Sequence, residues 1–169
     1  KEGFIYSRLT NPTVMALEQK IASLDGGKGA TCTPSGLAAS LLALYTVMDA
    51  GDDFIASQKL YGGTLGQFRD SFTRSFGWNR IFLDQTKPEN FKRALTEKTK
   101  AIFVESLSNP ENLVIDLEAL GKIADEAGIP LIVDNTIPTP YLCRPFEYGA
   151  SVNTYSTTKY MNGHGNAMG

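Results

Sequence analysis

The chain is poor in the residues that build metal and disulfide sites. It has one histidine, His164, and two cysteines, Cys32 and Cys143, in 169 residues. The cysteines lie far apart and form neither a CxxC pair nor a zinc-like cluster, so no disulfide framework and no metal site is expected. His164 has no partner ligand and reads as a loop histidine. Two free thiols fit a reducing, cytoplasmic setting, and both read as core or pocket-wall residues. An excess of one charge is missing too. Lys and Arg number 16 against 18 Asp and Glu, a net charge of −2. That excludes a protein gripping nucleic acid by phosphate charge. No apolar run approaches the ~20 residues of a membrane span, so no membrane partner is expected. Repeats and low-complexity linkers are also lacking. What remains is an ordinary globular composition, 42% hydrophobic and 20% charged, in a chain long enough to bury roughly 70% of its unfolded surface. Lys1 stands where a start methionine would, and the end is Gly-rich from Gly163 to Gly169. A longer parent is expected.

Asn11-Pro12 is a helix start, because Asn caps and Pro fits the first helical position. Val14, Leu17, Ile21 and Leu24 then recur at helical spacing until Gly26-Gly27. Ser35-Gly36 opens a second helix, with Leu37, Leu41, Leu44 and Met48 as its stripe and Gly51 as its stop. Residues 54–56 and 81–83 read as short buried strands. Pro88 opens a short helix carrying Phe91 and Leu95, and residues 101–104 form a strand ending at Glu105. Asp116 caps a helix with Leu117, Leu120, Ile123 and Ala124 on one face, closed by Gly128. Residues 130–133 are apolar at consecutive positions, as in a strand covered on both faces. Residues 152–155, more polar, form one more strand. The alternation predicts an α/β domain, a mostly parallel sheet flanked by helices.

In open α/β sheets, ligands bind beyond the carboxyl ends of the strands. Those ends carry Tyr61, then Glu105 to Pro110, then Asp134-Asn135-Thr136, then Ser156-Thr157-Thr158-Lys159. One edge thus gathers an aromatic ring, carboxylates, hydroxyls and an amine. The set suits a phosphorylated, aromatic, cationic cofactor. A lysine amine forms a Schiff base with an aldehyde, and a carboxylate keeps a pyridine nitrogen protonated, as pyridoxal phosphate requires. Tyr61 can stack on a ring, and the helix start at Ser35-Gly36-Leu37 favours a phosphate. Each residue also has a plainer role. A lysine after a strand is commonly a solvated group, an Asp there a cap, Ser35-Gly36 an ordinary helix start, and Tyr61 a ring packed on the core. A dinucleotide fold is disfavoured, because Gly163-x-Gly165-x-x-x-Gly169 has the wrong spacing and place.

Longer motifs break the tie. Leu131-Ile132-Val133-Asp134-Asn135-Thr136, Ser156-Thr157-Thr158-Lys159-Tyr160 and Gly163-His164-Gly165 resemble the Cys/Met-metabolism family of pyridoxal-phosphate enzymes. So do Tyr6-Ser7-Arg8, Asn11-Pro12-Thr13, Pro34-Ser35-Gly36-Leu37, Tyr61-Gly62-Gly63-Thr64 and Glu105-Ser106-Leu107-Ser108-Asn109-Pro110. The resemblance implies the large cofactor-binding domain of a fold-type I, aspartate-aminotransferase-like enzyme. Residues 1–169 would form part of it, without the N-terminal arm or the C-terminal domain that holds the substrate carboxylate. By the same resemblance, Lys159 carries pyridoxal phosphate and moves protons, Asp134 pairs with the ring nitrogen, and Tyr61 stacks on the ring. Ser35, Gly36, Leu37, Ser156 and Thr158 hold the phosphate, while Asn109 and Thr136 lie near the ring. Tyr6 and Arg8 reach a neighbouring subunit's phosphate, which implies a homo-oligomer, a tetramer built from dimers with shared sites. Tyr141-Leu142-Cys143-Arg144-Pro145 and the Gly62-Gly63-Thr64 turn look most like O-acetylhomoserine sulfhydrylases. Their γ-replacement turns O-acetylhomoserine and sulfide into homocysteine and acetate in methionine and cysteine biosynthesis. Cystathionine γ-synthases share that turn. Methionine γ-lyases carry a cysteine where this chain has Gly63, which is read as open room beside Tyr61. The chain alone is expected to lack turnover.

Overall fold

The computed structural model describes residues 3–169. Helix α1 (Pro12–Asp25) begins where the Asn11 side-chain oxygen accepts the N–H groups of Thr13 and Val14, at 2.9 and 3.2 Å. Gly26 ends it in the left-handed region, φ 74°, a conformation that a Cβ disfavours. Helix α2 (Gly36–Tyr45) is capped by the Ser35 hydroxyl, which accepts Ala38 N–H at 3.2 Å. There follow β1 (Asp53–Ser57), α3 (Gly62–Gly66), a π-helical turn (Gln67–Phe72), α4 (Thr73–Phe76) and β2 (Asn79–Leu83). Next come α5 (Pro88–Ala94), β3 (Thr99–Glu105), α6 (Leu117–Ala127) and β4 (Leu131–Asp134). Helix α7 (Thr139–Leu142), a 3-10 turn (Pro145–Tyr148) and β5 (Val152–Thr154) complete the order.

The strands form one sheet in the order β2-β1-β3-β4-β5, every neighbouring pair parallel. All five carboxyl ends therefore lie on one edge. β2 and β3 flank β1 on opposite sides, so the strand order reverses between β1 and β3. That switch point is where a parallel sheet opens a crevice. Side chains alternate across the sheet. Phe54, Phe103 and Ile132 meet Phe68, Phe72 and Trp78 on one face, while Ile55, Ile102, Val104 and Leu131 meet Phe91 and Leu120 on the other.

The Phe68 ring is fully buried, edge-on to Phe54 at 4.9 Å and to Phe103 at 5.0 Å. Phe68→Ala in the intact protein is expected to cost about 3–5 kcal/mol, read as a lower denaturant midpoint. A loss below about 1 kcal/mol would show that this ring is not core packing.

Four expectations need correction or extension. The α1 stripe is not covered by this chain, since Val14, Leu17 and Leu24 are 40%, 46% and 45% exposed; periodicity marks an apolar face but not what packs on it. Helix α2 stops at Tyr45 rather than near Gly51, because Thr46 turns back to bond the Ala43 carbonyl at 2.8 Å. The helical stretch from Gly62 to Phe76 carries no side-chain cap bond and is not signalled by any capping residue. The polar β5 nevertheless pairs with β4, Ile132 with Val152 and Asp134 with Thr154. The Asn153 NH₂ on it donates to Asp25 Oδ2 at 2.8 Å.

Candidate active site

The residues expected to carry chemistry do arrive at the carboxyl edge. Tyr61 caps the start of α3 just after β1, and its ring is half-exposed. Glu105 closes β3 beside Asp134, which closes β4. Glu105 reaches back across the switch point. Its two oxygens accept Tyr61 N–H at 2.7 Å and Asn109 N–H at 3.1 Å. Burial pushes the Glu105 carboxyl up to about 7, opposed by the Tyr61 bond, reinforced by the neighbouring Asp134 charge, and opposed again by the Asn109 bond.

Asp134 Oδ1 accepts both the backbone N–H of Thr136 at 3.0 Å and its hydroxyl at 2.5 Å. Thr136 Oγ1 in turn accepts Ser156 N–H at 2.8 Å. This relay ties the carboxylate on β4 to the turn after β5. Burial pushes the Asp134 carboxyl up, and the two Thr136 bonds pull it down. Its Oδ2 accepts no hydrogen bond among the described residues, so one oxygen is left for a cationic N–H. Beneath the relay, Asn135 is fully buried. It accepts Ser106 Oγ–H at 2.7 Å and donates to the Cys143 carbonyl at 2.8 Å and to the Tyr155 oxygen at 3.1 Å.

The α2 start and the lysine turn are in close contact. A Cβ on Gly36 would come within 2.8 Å of Ser156 Cβ and 3.0 Å of its Cα. Only glycine lets the first N–H groups of α2 approach Ser156 this closely. Ser156 Oγ, Thr158 Oγ1 and Thr158 N–H converge on one oxygen, the Gly169 carbonyl, at 3.5, 3.1 and 3.4 Å. Hydroxyl and amide donors aimed at one acceptor beside a helix start are a donor set that fits a phosphate. The Thr158 hydroxyl also accepts Gly169 N–H at 2.9 Å. Lys159 follows, exposed, with its backbone held by Ser156 and Gly163. Its ammonium makes no ion pair among the described residues.

Not every expected residue joins this cluster. Tyr6 and Arg8 lie outside it, exposed, with the guanidinium 4.7 Å from the Tyr6 ring centre. The space beside Tyr61 is not open. A Cβ on Gly63 would meet the Tyr61 ring at 2.5 Å, so that ring already lies over the glycine. A cavity of about 630 Å³ adjoins the phosphate-type donor set at Thr157 and Gly169 and is lined further by Asp25, Cys32, Asn153 and Tyr155, but not by Tyr61, Asp134 or Lys159. His164 is exposed and its Nδ1 sits 2.7 Å from the Asn162 carbonyl. Among the described residues no group of three metal-ligating side chains forms, and no helix is long and apolar enough to cross a membrane.

The family described as Cys/Met metabolism PLP-dependent enzymes matches residues 1–169. The chain belongs to this family. It is 44% identical over 167 residues to the O-acetyl-L-homoserine sulfhydrylase of Leptospira meyeri, covering 99% of this chain and 38% of that protein. It is 47% identical over 164 residues to O-acetyl-L-homoserine sulfhydrylase 1 of Thermus thermophilus, covering 96% and 39%. Homocysteine/cysteine synthase of Saccharomyces cerevisiae is 43% identical over 168 residues, covering 99% and 38%. A crystal structure from Campylobacter jejuni, described as a candidate O-acetylhomoserine (thiol)-lyase with N'-pyridoxyl-lysine-5'-monophosphate, superposes with a TM-score of 0.95. That protein is 38% identical, and the match covers 99% of this chain and 41% of that one. The chain thus spans under half the length of these relatives.

Membership makes this a chain of a PLP-dependent enzyme family. Two residues of the carboxyl edge carry roles that motif reading does not assign. Glu105 and Asn135 both stand inside quoted motifs, yet their side chains bond backbone of loops: Glu105 the N–H groups of Tyr61 and Asn109, Asn135 the Cys143 carbonyl. The signal available was polarity at the end of an otherwise apolar strand.

Proposed function

We propose that the intact protein catalyses a pyridoxal-phosphate-dependent γ-replacement, a transferase reaction converting O-acetylhomoserine and sulfide into homocysteine and acetate. The observation that carries the reading is the shared strand-end cluster, Asp134 with one free oxygen beside the Gly36–Ser156 approach, in a chain whose relatives bear that activity's name.

When bound, pyridoxal phosphate supplies an aldehyde for an amine and a ring that stores an electron pair. The chain's residues do the rest. Lys159 would provide the amine that holds the aldehyde carbon as a Schiff base, with water released, and would be the group placed to hold or move a proton. Asp134 Oδ2 accepts the ring N–H, while Thr136 holds Oδ1. Tyr61 covers one ring face, and Asn109 lies beside the ring oxygen. The N–H groups of Gly36 and Leu37, the Ser35 end of α2 and the hydroxyls of Ser156 and Thr158 hold the phosphate. Tyr6 and Arg8, exposed in one chain, reach the phosphate of a second copy in a dimer-based tetramer. Residues 1–169 belong to the cofactor-binding domain, and the group holding the substrate carboxylate lies elsewhere in the protein. Free Cys32 and Cys143 suit a cytoplasmic setting.

Gly63 bears on the choice of reaction. A cysteine there would displace the Tyr61 ring, so glycine keeps the ring low against the start of α3. With glycine there, no thiol stands beside the ring to hold the sulfur end of methionine. The intact protein is expected to form homocysteine from O-acetylhomoserine and sulfide with at least about tenfold higher kcat/KM than it cleaves methionine to methanethiol. Both assays run under the same conditions. Faster methionine cleavage would overturn the sulfhydrylase reading and leave the cofactor site standing.

A further inference from the structure

Glu105 is almost fully buried, and both its oxygens are spent on backbone N–H groups rather than on a ligand. Its two partners sit on opposite sides of the switch point. Tyr61 follows β1, and Asn109 follows β3. Each is a loop residue at the edge of the crevice, where side-chain packing alone gives little restraint. An ionisable group is buried at such a place only where its bonds are needed.

We propose that Glu105 is a positioning residue whose carboxylate ties the backbones of Tyr61 and Asn109 into one unit, so that the ring-covering side chain and the loop beside it are set together. This rests on the assignment of Tyr61 to the cofactor's ring face. The carboxylate acts through these two backbone segments. Two N–H groups fix the two oxygens, and the side chain's own strand fixes the rest. Glutamine cannot replace this. Its oxygen accepts one N–H, but its NH₂ end would face the other donor, so one of the two ties opens.

The test uses the intact enzyme, reconstituted with pyridoxal phosphate. Its readouts are the cofactor dissociation constant and the visible circular dichroism of the bound ring, which reports how the ring is held. Glu105→Gln is expected to raise the dissociation constant about tenfold and to shrink the dichroic band. Tyr61→Ala is expected to do the same. Because both act through one contact, the double variant should be hardly worse than Tyr61→Ala alone. Where Glu105→Gln does not fold, Glu105→Asp keeps the charge, shortens the reach and is read in the same cycle. An unchanged band and affinity in the Glu105 variant overturn the proposal. Effects of the two substitutions that multiply in full overturn it while the stacking assignment stands. An unchanged band in Tyr61→Ala overturns both.

Discussion

Lys159→Ala in the intact protein is expected to abolish borohydride-fixable cofactor and to lower turnover by at least about 10³-fold. The expectation follows from where the amine stands. Lys159 sits on the turn immediately after the β5 edge, its N–H bonded to the Ser156 carbonyl at 3.1 Å and its carbonyl accepting Gly163 N–H at 2.8 Å. The backbone is therefore fixed while the side chain is exposed and unpaired. Four other lysines are in ion pairs, Lys59 with Glu111, Lys87 with Asp84, Lys92 with Glu126 and Lys122 with Glu118. Lys20, Lys28 and Lys98 make none among the described residues but do not follow the carboxyl end of a strand. Lys159 also adjoins Thr158, one of the phosphate-type donors. The measurement is reduction with borohydride followed by peptide mass mapping. Covalent capture at another lysine in the variant would remove Lys159 from its role.

Asp134→Asn should cost far more rate than affinity. The substitution keeps the size and leaves an acceptor oxygen for Thr136, so the relay through Thr136 to Ser156 can persist. What would disappear is the negative charge that, in the proposed site, faces the ring nitrogen. A charge-assisted hydrogen bond contributes about 1.5–3 kcal/mol, so the cofactor dissociation constant should rise by no more than about 100-fold. The chemical step needs the ring nitrogen to stay protonated as charge flows into the ring, and an amide does not enforce that. The rate constant for α-proton removal should therefore fall by on the order of 10³-fold or more. Burial raises the Asp134 carboxyl and the Thr136 bonds lower it; a cationic ring N–H held beside Oδ2, as proposed, would lower it further and keep the charge in place. Stopped-flow exchange of the substrate α-proton checks this. A variant as fast as the parent would show that the charge is not used.

The sequence by itself determined the local chemistry of this protein. Asn11 and Asp116 cap helices because their short side chains reach N–H groups two or three residues ahead. The apolar runs of β1, β3 and β4 are buried because helices cover both faces of the sheet. Asp134 and Lys159 were legible because each stands in a long motif at a strand end, and the parallel fold puts all such ends together. Only the tertiary structure decided what those residues touch. Glu105 meets Tyr61 across 44 positions, and Ser156 meets Thr136 across 20. Both bonds depend on strand order, which periodicity within one segment does not encode. The same reason leaves the α1 stripe uncovered in this chain and lays the Tyr61 ring over Gly63. A pattern of apolar or small residues shows that a face or a gap exists, whereas its occupant is set by chain segments remote in sequence.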